Sequence, residues 1–165
     1  MLLEQDRARW DQLLIRRGLA ALDRAEAKAA AAGRPPGPYV SQAAIAACHA
    51  RAREADETDW GRIAGLYAAL AQLQPSPVVE LNRAVAVGMA FGPAAGLALV
   101  ERLMAEPPLA AYHLLPAVRG DLLAKLGRHG EASAEFERAA ALTGNARERA
   151  LLLERAAAAS EADSS

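Results

Sequence analysis

The amino-acid sequence predicts an all-α protein, and three observations carry that prediction. Hydrophobic residues make up 53% of the chain but aromatics only 4%, the difference being mostly alanine and leucine. Alanine has the highest helix propensity and lets helices approach closely. β-branched residues are scarce, and no run alternates with the period of two that marks a half-buried strand. Apolar residues recur instead at three- and four-residue steps between proline and glycine breaks, which is the pattern of amphipathic helices.

Taken in order, residues 1–33 read as an N-terminal helix, with Leu3, Trp10, Leu13, Leu14, Leu19, Leu22 and Ala25 spaced for a buried stripe. Gly33 to Pro38 (GRPPGP) ends it. A second helix is expected from about Tyr39 to Ala55, with Val40, Ile45 and Cys48 on its apolar side. A short acidic break follows, and Thr58 or Asp59 caps a helix opening at Trp60. The stretch from Thr58 to Ala86 then reads as helix, break, helix, and the chain is organised around it. Trp60, Ile63, Tyr67, Leu70 and Leu73 form one stripe of the first helix. Pro75-Ser76-Pro77 stops it and starts the second, Ser76 as N-cap and Pro77 at the first helical position. Val78, Leu81, Val85 and Met89 carry the second stripe.

Phe91-Gly92-Pro93 is another stop and start, opening a helix from Pro93 to about Ala105 that Glu106-Pro107-Pro108 breaks. The next helix, Leu109 to Leu126, contains Pro116, which should kink it or split off its first turn. Gly127 to Gly130 turns the chain into a helix from Glu131 to Leu142 anchored by Phe136. Gly144 is placed as a terminator, and Asn145 with Glu148 resembles a capping box for the last helix. Residues 39–160 thus form a helical repeat domain, and 161–165 a disordered tail.

A chain of 165 residues is long enough for one domain with a real core and too short for two large ones. With 19 basic and 20 acidic residues and a net charge of −1, it lacks the basic surplus that phosphate neutralisation needs. Direct nucleic-acid binding is therefore not expected. Cys48 is the only cysteine, which rules out an internal disulfide framework and suits a reducing cytoplasm. No stretch has the length of an apolar membrane span, and MLLEQDRARWD lacks the layout of a signal peptide. The expectation is a cytoplasmic monomer with no membrane contact. Amphipathic helices without long apolar seams favour closed packing over coiled-coil association.

The helices repeat. Arg83-Ala84, Arg119-Gly120 and Arg155-Ala156 are spaced by 36 and 36 residues. Ile63, Gly96 and Ala132 correspond; four residues later stand Tyr67, Val100 and Phe136, and then Leu70, Leu103 and Ala139. A small residue, a bulky one four later and a small or apolar one after three is similar to the tetratricopeptide pattern. GRHGEASAEFERAAAL is the cleanest copy, and the middle copy, with Gly96 and Val100, is degenerate. The resemblance implies a right-handed solenoid of helical hairpins with a concave face for a partner.

A narrower resemblance covers nearly the whole chain. EQDRARWD, GPYVSQAAIAACHA, TDWGRIAGLYAAL, PSPVVELNRAVAVGMAFGPAAGL, YHLLPAVRGDLLAKLGR and LTGNARERALL resemble, in that order, the C-terminal extension of a bacterial extracytoplasmic-function (ECF) sigma factor. The family implies a role in transcription initiation, through contact with the factor's own sigma core regions or with RNA polymerase. The sigma regions themselves are absent here. The chain accordingly reads as one domain of a longer factor, with a stand-alone tetratricopeptide-type peptide-binding adaptor as the alternative.

No constellation argues for catalysis, a cofactor or a metal. Cys48 and His49 are helical neighbours pointing about 100° apart, so they cannot share a face as nucleophile and base; a core thiol and a surface imidazole fit better. His113 and His129 lie in different copies without metal-ligand spacing. Trp60, Tyr67 and Phe136 have the spacing of packing residues. The candidates for partner contact are Asn82 and Arg83, on the stripe of their helix opposite the apolar one together with Ala86 and Ala90, and Arg119 at the same phase. A solvated face, or an internal ion pair from Arg83 to a glutamate, is the plainer reading. Trp10, in a segment rich in both charge signs, either caps the solenoid or docks onto the sigma core.

Overall fold

The structure, a computed structural model, describes residues 11–52, 54, 56–105 and 112–163. Among these there are eight helices and no strand: α1 (Gln12–Ala31), α2 (Pro38–Arg51), α3 (Trp60–Leu73), α4 (Pro77–Phe91), α5 (Pro93–Leu103), α6 (Leu114–Lys125), α7 (His129–Leu142) and α8 (Ala146–Asp163). The chain divides into two compact units, residues 1–79 and 80–165. That boundary falls inside α4, the second helix of the hairpin expected to organise the chain, and within the single repeat domain expected over 39–160.

In the first unit α1 packs on α2 and α2 on α3. Asp11 opens α1, its Oδ1 accepting the backbone N–H groups of Leu13 and Leu14 at 2.9 and 3.0 Å. These are donors that a helix start leaves without an internal partner. Gly33 closes it with φ +60°, its N–H donating to Ala30 O (2.9 Å) and the N–H of Arg34 to Ala29 O (3.1 Å). This pair of bonds is a Schellman motif, which needs the left-handed conformation that glycine adopts without strain. Pro38 then starts α2 at its first position, and α2 stops at Arg51, short of the expected Ala55. The core joins Leu22, Ala44 and Ala47, with Leu19, Val40 and Leu66 packed against them.

Asp59 caps α3, accepting from the Arg62 N–H at 2.8 Å. Ile63 and Leu70 are 1% exposed, but Trp60 and Tyr67, expected as packing residues of the same stripe, are only half-buried. Helical spacing sets which face a ring occupies, not how deep that face lies. His49, expected at the surface, is half-buried too, and its ring meets the Trp60 indole edge-on at 5.3 Å. Cys48 is buried as expected, and burial pushes its thiol pKa up, which favours the neutral form.

In the second unit α5 packs on α6, α6 on α7 and α7 on α8. Its core joins Leu81, Leu97, Val100, Leu115, Leu123 and Phe136 with several alanines. Gly96 is where a stricter repeat carries alanine, and the structure supplies the reason. A β-carbon there would lie 2.8 Å from the Ala84 carbonyl oxygen and 2.8 Å from the Gly88 Cα, so α4 and α5 touch backbone to backbone. Pro116 lies in the first turn of α6 and not in its interior, where it would kink the helix. It is the third residue of a helix that begins at Leu114, where no internal acceptor awaits its missing N–H. The expected start at Leu109 lies outside the described residues. Gly127, at φ +74°, ends α6 in a second Schellman motif, with bonds to Ala124 O and, from Arg128, to Leu123 O, both 3.0 Å.

The start of α8 forms half of the expected capping box. Asn145 Oδ1 accepts from the N–H groups of Arg147 (3.0 Å) and Glu148 (3.4 Å). Glu148 does not return the bond. Its carboxylate accepts from Thr143 Oγ1 at 2.6 Å and lies 3.1 Å from His113 Nε2, while the Asn145 N–H donates to Thr143 Oγ1 at 3.2 Å. At the other end, residues 161–163 are not a tail but the last turn of α8. Asp163 Oδ1 accepts the Gly130 N–H of α7's first turn at 3.1 Å, a tertiary bond at the helix's last residue.

Candidate partner-binding surface

The residues singled out for partner contact reach the structure in different ways. Trp10 lies outside the described residues. Asn82 is exposed on α4. Arg83, one residue on, donates from one guanidinium nitrogen to both carboxylate oxygens of Glu80, at 3.0 and 2.9 Å, the two side chains being 30% and 31% exposed. The internal ion pair weighed against partner contact is therefore present. Such i,i+3 pairs stabilise a helix by about 0.2–0.5 kcal/mol. Of the alanines expected beside these two, Ala86 is buried at 1% exposure and Ala90 is half-buried, so the open stripe is narrower than the spacing suggested.

Arg119 turns inward. Its guanidinium donates to Glu135 Oε1 of α7 at 2.7 Å, with the side chains only 17% and 11% exposed. Arg138 approaches the other Glu135 oxygen at 3.9 Å. Arg155 pairs with Asp121 of α6, and its guanidinium carbon lies over the Phe136 ring, 4.2 Å from its centroid. Burial lowers its pKa, though a guanidinium stays charged throughout. The three arginines that recur every 36 residues thus meet three different acids: one on their own helix, one on the next helix and one on a preceding helix. No hydrogen bond joins Asn82, Arg83 and Arg119 among the described residues.

What lies open beside Asn82 is a small cleft between α4 and α6, about 60 Å3 in volume. Val85 and Met89, one and two turns beyond Asn82, line it from α4, and Val118, Asp121 and Lys125 line it from α6. Lys125 Nζ reaches Met89 Sδ at 3.5 Å. The cleft has an apolar floor with one cation and one anion at its rim. Among the described residues no group of three metal-ligating side chains converges. No helix there is long and apolar enough to cross a membrane. A second open feature, an apolar groove between α1 and α2, was missed in the sequence; its only signal was the stripe Tyr39, Ala43, Ala46, Ala50, and alanine reads as helix filler.

Comparison with known proteins adds a relative but no function. The chain is 49% identical over 152 residues to an uncharacterized protein of Rhizobium meliloti (strain 1021). The match takes in 92% of this chain and 34% of the relative, so the chain spans about a third of the length of the curated relative it matches. No family model matches, and no solved structure matches.

Proposed function

We propose that this chain is the regulatory domain of an ECF sigma factor, a protein-interaction module that acts in transcription initiation by contacting the sigma core regions or RNA polymerase. In this reading the helices form a right-handed solenoid of tetratricopeptide-like hairpins, and the domain works without a cofactor. The observation that carries the proposal is the interlock of α6 and α7. Ala132, Phe136 and Ala139, at the spacing of the repeat signature, are all 2% exposed or less. Gly120 faces Phe136 so closely that a β-carbon there would lie 2.7 Å from the ring. A small residue receiving a bulky one between successive helices is how stacked hairpins build a scaffold for binding.

Two further observations support the sigma-factor part. Six segments resemble that family in one order, and the relative has about two thirds of its length outside the match, ample for two sigma regions. Asn82 with the α4–α6 cleft supplies the contact face. Arg83 would then serve a partner from within its pair with Glu80, and Arg119 would hold the helix that bears the cleft.

A pull-down tests this. The immobilised chain is expected to retain the sigma core regions or core RNA polymerase, and Arg83→Glu to weaken that retention tenfold or more by setting a like charge against an acidic patch. Its melting temperature should stay near the parent's, since a part-exposed pair contributes well under about 1 kcal/mol. Retention of neither candidate would refute the proposal.

A further inference from the structure

Within the first unit, α1 and α2 leave an open apolar groove of about 210 Å3. Ile15, Leu19 and Leu22 of α1 face Ala43, Ala46 and Ala50 of α2, with Gly18 opening the α1 wall, and no charged side chain lines it. Branched apolar side chains fit there; a helix backbone does not. An occupant therefore lays side chains into the groove and keeps its main chain outside. Two large apolar residues extend the strip along its helices. Leu14, four residues before Gly18, is 62% exposed, and Tyr39, four before Ala43, is 84% exposed. The short connection between α1 and α2 makes them antiparallel neighbours, so these two stand at opposite ends of the groove.

The charge along this rim is one-sided. Arg17, Arg24 and Lys28 recur at i, i+7 and i+11, one stripe of α1 beside the stripe that bears Leu14 and Gly18, and all three are exposed. The acids within α1 lie on its other flank. Asp23 pairs with Arg51 of α2 at 3.0 Å and Glu26 with Arg62 of α3 at 3.6 Å. Among the described residues, no carboxylate neutralises the Arg17, Arg24, Lys28 ridge.

We infer that this groove binds an amphipathic helix of a partner protein, one whose apolar stripe is bordered by aspartate or glutamate. The apolar floor supplies burial, and the cationic ridge fixes the orientation and speeds the encounter. Charge complementarity selects an acidic helix over a basic one. The apolar floor selects a helix over nucleic acid, whose phosphates gain nothing from Leu19 and Leu22. From Leu14 to Lys28 the site is about 21 Å long at 1.5 Å per residue, so about four turns of partner helix cover it. The inference rests on reading this chain as a protein-binding domain, and it does not depend on the partner belonging to a sigma factor.

Fluorescence anisotropy on the full chain tests it with two helical peptides of about four turns. One carries leucines at i, i+3 and i+7 flanked by glutamates, and the other has lysines in place of the glutamates. The acidic peptide is expected to bind at least tenfold tighter, and 0.5 M salt (a Debye length of only a few ångströms,) should narrow the gap. Ala46→Glu, at an exposed wall position, should abolish binding of the acidic peptide. The triple variant Arg17→Glu, Arg24→Glu, Lys28→Glu should reverse the preference. Equal affinity for the two peptides, or no binding of either, would overturn the inference. Self-association lost in Ala46→Glu would assign the groove to a second copy, and binding seen only after removal of residues 1–10 would assign it to the chain's own N-terminus. Duplex DNA bound by the parent and not by the triple variant would make the ridge a phosphate site. Each of these three would also overturn it. A negative pull-down with sigma regions and polymerase leaves the peptide result standing, and the reverse holds too.

Discussion

Replacing Phe136 by alanine is expected to destabilise the protein by about 3–5 kcal/mol, the range for truncating a fully buried aromatic. The melting temperature should fall by roughly 10 °C. The size follows from what surrounds the ring. Phe136 is 2% exposed, Gly120 has no β-carbon so that the ring can enter, and the Arg155 guanidinium covers its face at 4.2 Å. That stacking adds about 0.5–2 kcal/mol. A void left at this point cannot be filled by Gly120, and Arg155 is held by Asp121. Tyr67, at the corresponding position of the first copy, is half-buried, and its truncation should cost clearly less. A thermal melt of Phe136→Ala that overlays the parent would show that the α6–α7 interlock contributes nothing to stability.

Removing the carboxylate of Glu135 is expected to have the second-largest effect. Glu135→Ala leaves the Arg119 guanidinium 17% exposed and without its 2.7 Å partner. Breaking a buried pair from one side costs about 3–5 kcal/mol, because the remaining charge stays in a poorly solvated place. The pair is already under-satisfied, since Arg119 Nε and Glu135 Oε2 are buried without a hydrogen-bond partner. The double variant Arg119→Met, Glu135→Leu should therefore recover most of the loss. Exchanging a buried ion pair for apolar side chains of similar size is often neutral, or stabilising by about 1–4 kcal/mol. Urea melts of the two single variants and the double variant check this. Single variants within about 0.5 kcal/mol of the parent would mean that the pair is effectively solvated.

The helical class and most helix ends were legible because they depend on neighbours in sequence. Gly33 and Gly127 end helices in the left-handed conformation, and Pro77 and Pro93 start them at the first position. Where an end depends on contacts from elsewhere, local signals failed. The last turn of α8, with its bond from Gly130 to Asp163, falls on residues expected to be a tail. Pro116 marks either a kink or a first turn, and only the observed start of α6 separates the two. The recurrence of Arg83, Arg119 and Arg155 was equally plain, but their partners were not. Glu135 and Asp121 are chosen by the register of one helix against the next, which spacing along the chain does not contain. The division of the chain at residues 79 and 80 has no breaker to mark it, since it falls inside a continuous helix.

The proposed regulatory role meets its most direct test in run-off transcription by the complete product of the reading frame that contains residues 1–165, assayed with and without those residues. The frame should encode sigma regions alongside this domain. Deleting the domain should change transcript yield from the factor's own promoters by tenfold or more, and Asn82→Trp, which fills the approach to the α4–α6 cleft, should reproduce part of that change without lowering the melting temperature. Unchanged transcription on deletion, or a frame without sigma regions, would contradict the account.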